Sequence, residues 1–184
     1  MPTTITIPGI ELYDENRKKF LKTETTTIEI EHSLVSLSKW EQKWKIPFLG
    51  NRQVTEEHTI DYIRCMCLTP DVPMEIFNAI AYAPDVLKQV NDYIFDSMTA
   101  TWFNERGPSK SSSEAVTSEV IYAWLVQLTI PFETKDWHLN RLLTLIRVLN
   151  IKNDPKKKLM PIAEVQRQQR DLNEERRAKM GTKG

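Results

Sequence analysis

Two cysteines, five glycines and three histidines are all that this 184-residue chain offers to the chemistry those residues usually serve. Cys65 and Cys67 stand two positions apart, too near for an ordinary disulfide and without the CxxC spacing of zinc or redox sites, so both read as buried thiols. No glycine falls in a G-x-G-x-x-G or G-K-[ST] setting, which removes the usual signal for a phosphate cradle. His32, His58 and His138 make no H-x-x-x-H or H-E-x-x-H pattern, and the aspartates do not cluster, so no metal and no cofactor is expected. Nothing in the order of residues brings a base to a serine or cysteine, and catalysis therefore has no positive signal.

Net charge is absent too: 25 Lys and Arg balance 25 Asp and Glu. A neutral molecule has no global attraction to DNA or to an anionic membrane. The balance is uneven, because residues 152–184 carry six Lys and four Arg against two Asp and three Glu, or +5, which leaves −5 for residues 1–151. Apolar runs are short; even AWLVQLTIPF is interrupted by Gln127, Thr129 and Pro131, so no membrane span is expected. The first residues lack a basic segment followed by a long apolar run, so no signal peptide is expected, and the reading is a soluble, intracellular protein.

What is present is a change of period along the chain. In residues 1–32, Thr and Ile alternate in TTITI and TTTIEIEH, with Ile28 and Ile30 on one face and Glu29 and Glu31 on the other. Pro8-Gly9 and Asp14 to Asn16 are turn signals, which implies an antiparallel hairpin or three short strands that must lie on helices or on another chain. From Ser33 the spacing is helical: Leu34, Leu37, Trp40 and Trp44 form a stripe that Pro47 ends. Thr55 is an N-cap with His58 at the third helical position, and Ile60, Ile63 and Cys67, with Tyr62 and Met66, face inward. A short helix from Met74 to Ala81 follows, and Pro84 opens another carrying Val86, Leu87, Val90, Ile94 and Phe95. Residues 104–114, NERGPSKSSSE, read as the most loop-like stretch; beyond them Val116, Val120, Ile121, Trp124, Leu125 and Leu128 define a helix buried on several sides.

These segments predict a mainly α fold: a β-containing segment at 1–32 with a small antiparallel ribbon, a compact helical core domain at 33–151, and a basic arm at 152–184 forming an extended C-terminal helix. That arm has helix-forming residues but few apolar ones, which suits a solvated helix or one that folds on a partner.

The stretch WHLNRLLTLIRVLN, residues 137–150, poses the sharpest choice between site and core. Leu139, Leu142, Leu143, Ile146 and Leu149 give a buried stripe, while His138 and Arg141 lie one turn apart and are spaced to bind an anion. The core reading is preferred: Trp137 and His138 start the helix, and Arg141 and Arg147 pair with acids such as Glu119 or Glu133. The five tryptophans lack the interleaved basic residues of a base-stacking platform except around Lys39-Trp40 and Lys43-Trp44-Lys45, so they read as core or interface anchors, and nucleic acid is not an expected partner.

Read together, IEHSLVSLSKWEQKWKIPFL, TIDYIRCMCLTPDV, SMTATWF, SEVIYAWLVQLTIPFE, WHLNRLLTLIRVLNIKN and RRAKMGTKG resemble small proteins encoded among the tail genes of long-tailed bacteriophages and labelled tail assembly chaperones. The resemblance covers nearly the whole chain from about Ile28, and none of its blocks is a catalytic motif. It implies a non-enzymatic factor that binds the tape-measure protein, keeps its apolar helices soluble and helps tail tube subunits assemble around it. Self-association is compatible with such a role, and the implied location is the cytoplasm of the infected bacterial host. A groove for apolar helical clients needs adaptable apolar residues, and Trp40, Trp44, Met66, Met74, Met98 and Trp102 are the candidates. The alternative is a structural virion protein, a neck, tail-completion or baseplate component, contacting its neighbours through the terminal arms.

Overall fold

The computed structural model describes residues 2–14, 18–50, 54–101, 103, 115–154 and, beyond these, residues 163, 166, 167, 170, 171 and 174. The chain forms two compact units: residues 1–99 with 112–146, and residues 100–111 with 147–184. The described part is mainly α-helical with an antiparallel β ribbon at its start.

The ribbon has four strands: β1 (Thr3–Ile7), β2 (Glu11–Asp14), β3 (Lys19–Lys22) and β4 (Thr26–Ile30). β1 pairs with β4 in a register that sets Ile5 opposite Ile28, and β2 pairs with β3 with Leu12 opposite Leu21. This is one more strand than the longer option read from the sequence. Pro8-Gly9 is not a hairpin turn but the seam between the two pairs. There Ile10 N–H donates to Thr23 Oγ1 at 3.0 Å and Thr23 N–H donates back to Ile10 O at 2.8 Å. Glycine is required at the seam because a Cβ on Gly9 would lie 2.6 Å from Thr23 O. Ile5, Ile7, Ile28 and Ile30 form the buried face that the alternation predicts. The other face holds exposed Thr6 and Thr27, whose hydroxyls share a hydrogen bond. Glu31 departs from the expected exposed face: it lies past the strand end and is buried.

Six helices follow: α1 (Leu34–Trp44), α2 (Glu56–Met66), α3 (Met74–Ile80), α4 (Pro84–Ile94), α5 (Ser118–Gln127) and α6 (Leu139–Asn153), with a 3-10 turn at Phe132–Asp136. Ser33 and Ser36 build a reciprocal capping box for α1, which ends at Lys45 in the left-handed region, before Pro47 is reached. At α2 the expected cap at Thr55 is present, and His58 supplies the reciprocal acceptor that a glutamate would give, taking the Thr55 N–H on Nδ1 at 3.3 Å. Pro84 occupies the first turn of α4, where its missing N–H costs nothing.

The main core of the first unit is built from the isoleucine face of the ribbon with Trp40, Ile63, Met66, Phe77, Ile80 and Val90. Each such side chain contributes about 1.5–3 kcal/mol when fully buried. Three expectations change here. In α5 only Ile121 and Leu125 are buried among the apolar residues; Val126 is exposed, so this helix buries one side rather than several. Phe95, expected to face inward, is the C-cap of α4 and is 81% exposed. The cysteines are half-buried thiols rather than fully enclosed ones, and burial raises the pKa of each.

In the second unit, the Arg147 guanidinium lies over the Phe103 ring at 3.9 Å. Residues 163, 166, 167, 170, 171 and 174 have helical backbone and are exposed, whereas most of the arm, the loop at 104–114 and Trp102 lie outside the described residues.

Candidate functional site

Within the first unit, α2, α4 and the segment after α1 enclose an apolar cavity of about 230 Å³. One wall is the α4 stripe Leu87, Val90, Asn91 and Ile94, spaced as a single helical face; Phe48, Val54, Ile63 and Tyr62 face it across the space. His32, Thr59, Asn91 and Asn140, with the phenol of Tyr62, supply the polar part of the lining. The rim is apolar and open, with Phe95 and Val54 both exposed.

The polar floor belongs to a larger buried cluster. Tyr62 and His32 Nδ1 are hydrogen bonded at 2.5 Å. The phenol is the stronger acid, so it donates and His32 carries its proton on Nε2. Nε2 has no hydrogen-bonded partner among the described residues, in which every fully enclosed side-chain nitrogen or oxygen is paired. That nitrogen therefore keeps access to open space, and His32 lines the cavity.

Next to it, the His138 ring meets the His32 ring edge to face at 5.1 Å between centroids. His138 Nε2–H donates to Tyr93 O at 3.1 Å, and its Nδ1 accepts the Asn140 N–H at 3.3 Å, which fixes a neutral ring. Tyr93 O–H donates to buried Glu31 at 2.6 Å. Asn140 Nδ2 donates to Ile94 O at 2.8 Å and Asp96 O at 2.6 Å, satisfying carbonyls at the end of α4.

Burial, with His138 alongside, pushes the His32 pKa down to about 3. Burial lowers His138 as well and raises both Tyr62 and Tyr93. A histidine this reluctant to take a proton is a poor base near neutral pH, and Tyr62 is a correspondingly poor acid, so the pair is ill-matched to general acid–base chemistry. Its surroundings suit recognition of uncharged groups instead.

A second polar cluster is fully occupied with structure. Asp61 is 2% exposed in its side chain and accepts from Lys43 at 2.7 Å, Trp44 Nε1 at 2.8 Å and Arg64 at 2.9 Å. Burial alone would raise its pKa; the bonds from Lys43 and Trp44 and the Arg64 charge outweigh it and hold the carboxylate low. Among the described residues no three His, Cys, Asp or Glu side chains are grouped to hold a metal ion.

Among the described residues, the partner anchors expected from sequence do not line one groove. Trp40 and Met66 have no solvent exposure and belong to the core; Trp40 donates from Nε1 to His58 O at 3.0 Å. Trp44 is half-buried and held by Asp61, Met98 packs partly against the core, and Met74 is exposed in the first turn of α3. None of these five lines the cavity, and Trp102 lies outside the described residues. The core reading of residues 137–150 is what the structure shows for Leu139, Leu142, Ile146 and His138, all buried. Arg141, expected to meet an acid, stacks over Trp137 at 4.3 Å.

The cavity could be approached from sequence by one signal, the Leu87, Val90, Asn91, Ile94 spacing, because an asparagine on an apolar face marks a place where that face meets something other than packed core. The comparisons add no relative: no family model, no curated protein and no solved structure matches the chain.

Proposed function

We propose that this chain is a non-enzymatic assembly factor of a long-tailed bacteriophage, a tail assembly chaperone that binds the tape-measure protein and assists tail tube assembly in the cytoplasm of the infected host. The observation that carries the reading is the apolar cavity with its exposed rim at Phe95 and Val54. Its volume suits one side chain at a time, and the rim offers apolar surface to the helix that bears it. The resemblance of the six sequence blocks to tail assembly chaperones supports the same reading. The partner residues move accordingly from Trp40 and Met66 to the cavity and its rim. The basic arm, residues 152–184, serves as a second contact that folds on the client or on another copy.

One observation favours a structural virion protein as a second reading: β2 and β3 pair only with each other among the described residues, leaving edges on which a neighbour could add a strand. Co-expression of the full chain with the tape-measure protein of the same genome, followed by affinity capture, tests the first reading, and mass spectrometry of purified virions separates the two. A soluble complex and absence from virions is the expected result. A fixed copy number in virions without a tape-measure complex would replace it with the second.

No helix among the described residues is long and apolar enough to cross a membrane.

A further inference from the structure

We propose that the cavity selects a tyrosine side chain from the partner segment, with His32 Nε2 as the group that recognises its hydroxyl. The inference rests on the reading of the cavity as a client site and names the residue that enters it.

Size sets the first limit. At about 230 Å³ the cavity exceeds the ~150 Å³ apolar space that admits benzene and is smaller than the ~300–1,000 Å³ common for free small-molecule sites. One aromatic ring fills it. The exposed rim residues Phe95 and Val54 continue the apolar surface outward, so the ring arrives attached to an apolar body rather than as a free molecule.

The inner end sets the second limit. His32 is 2% exposed and lines the cavity, its Nδ1 is engaged by Tyr62, and its Nε2 has no partner among the described residues. A phenylalanine ring would cover that N–H and leave it unsatisfied, at the full cost of desolvating a polar group. A phenol oxygen accepts from it, and because a hydroxyl can also donate, tyrosine satisfies Nε2 in either tautomer of the imidazole. A site built to bond a hydroxyl discriminates strongly against the ring that lacks one. Among the described residues no lining side chain carries a formal charge with neutral His32, so a carboxylate or an ammonium finds no counter-ion among them.

The test is titration of the isotopically labelled full chain with N-acetyl-tyrosinamide, N-acetyl-phenylalaninamide and 4-carboxyphenylalanine amide, followed by NMR. N-acetyl-tyrosinamide is expected to shift the resonances of Val90, Ile94 and the His32 imidazole, with affinity at least about tenfold above the phenylalanine analogue. The carboxylate analogue is expected not to saturate. Leu87→Trp, which fills the space from a half-buried position, is expected to abolish the shifts with the rest of the spectrum retained.

Equal affinity for the tyrosine and phenylalanine probes would overturn selection by His32. Saturable binding that survives Leu87→Trp, or no saturable binding by any probe, would overturn the cavity as the site. These outcomes are separate from capture of the tape-measure protein: a failed capture with selective tyrosine binding removes the client and keeps the site, whereas successful capture without it keeps the client and removes the site.

Discussion

His32 and His138, one at the end of the β ribbon and one at the start of α6, meet edge to face inside the first unit with their centroids 5.1 Å apart. The backbone reinforces the meeting, because Leu139 N–H donates to His32 O at 2.7 Å. Both rings are surrounded by Glu31, Tyr62, Tyr93 and Asn140, and both are held neutral by burial.

Acid should therefore destabilise this protein well before its carboxylates titrate. The His32 pKa falls from 6.5 to about 3 on folding, so between those values the unfolded chain binds a proton that the folded chain refuses. Stability from this residue is complete above pH 6.5 and is lost as pH falls toward 3, at about 1.4 kcal/mol per pH unit. His138 shifts in the same direction and adds to the slope. Urea unfolding at pH 7.5 and pH 5 should differ by about 2 kcal/mol or more. Equal stability at the two values would mean that the rings are not buried neutral.

Glu41 joins two segments that are distant in sequence. Its carboxylate takes the Phe48 N–H on one oxygen at 2.9 Å and the Ser118 N–H on the other at 2.7 Å. Ser118 is the first residue of α5, whose N-cap Thr117 makes no side-chain capping bond, so a side chain from α1 caps α5. Glu41→Gln keeps one acceptor and presents an amide to the other N–H; the cost should be about 1.5–3 kcal/mol. Amide hydrogen exchange should show Ser118 and the first turn of α5 opening faster. Unchanged protection there would remove the capping role.

Local signals were legible and long-range ones were not, for a physical reason that Glu41, Glu31 and Phe95 illustrate. The α1 stripe, the Thr55 cap, the Pro84 start and the isoleucine face of the ribbon each follow from spacing within one element, and all are present. Glu41 was unreadable because its partners come from residues 48 and 118, which only the tertiary fold brings near. Glu31 continued the alternation of β4 on paper, but the strand ends at Ile30 and the next carboxylate turns inward to Tyr93. Phe95 shares the spacing of α4, yet the helix ends at Ile94 and the ring is left exposed. Trp40 and Met66, two of the candidates for a client groove, lie in the core for a related reason: large adaptable side chains suit an interface and a core equally, and spacing along a helix does not tell which.

Trp40 and Trp44 should now behave differently on truncation. Trp40→Ala removes an enclosed indole that touches Phe48 and His58 and donates to His58 O, and should cost about 3–5 kcal/mol. Trp44 is half-buried and stands beside Asp61, so Trp44→Ala should cost less and release the Asp61 carboxylate toward an ordinary pKa. Chemical denaturation of the two variants checks the order; a Trp40→Ala protein as stable as the parent would return that residue to the surface.

Thr129 follows α5 with φ at 54°, a left-handed conformation that a β-branched residue adopts at a cost. The fold holds it there because Ile130 N–H reaches back to Leu125 O at 2.8 Å and Leu128 N–H to Trp124 O at 2.9 Å, closing the helix end. Glycine relieves the strain but gains freedom in the unfolded chain, so Thr129→Gly should stabilise by a net of about 0.5–1 kcal/mol. A thermal unfolding midpoint that rises by a few degrees is the expected reading, and a fall would show that the Thr129 side chain contributes more than its backbone costs.

Phe95 offers the most direct separation of binding from folding. Its ring is 81% exposed, so replacing it removes little that holds the fold, and Phe95→Ser should leave stability within about 0.5 kcal/mol. The same ring lines the mouth of the cavity, where a partner helix would cover it. If client binding runs through this mouth, Phe95→Ser should weaken capture of the tape-measure protein by about tenfold or more, the effect of losing one aromatic anchor. Arg141→Ala makes the control, because Arg141 is exposed, stacks on Trp137 and is not a lining residue, so its loss should leave capture unchanged. Equal capture by the parent and Phe95→Ser proteins would take the interface away from the cavity and toward the basic arm, whose removal at residue 155 would then be the change that abolishes binding.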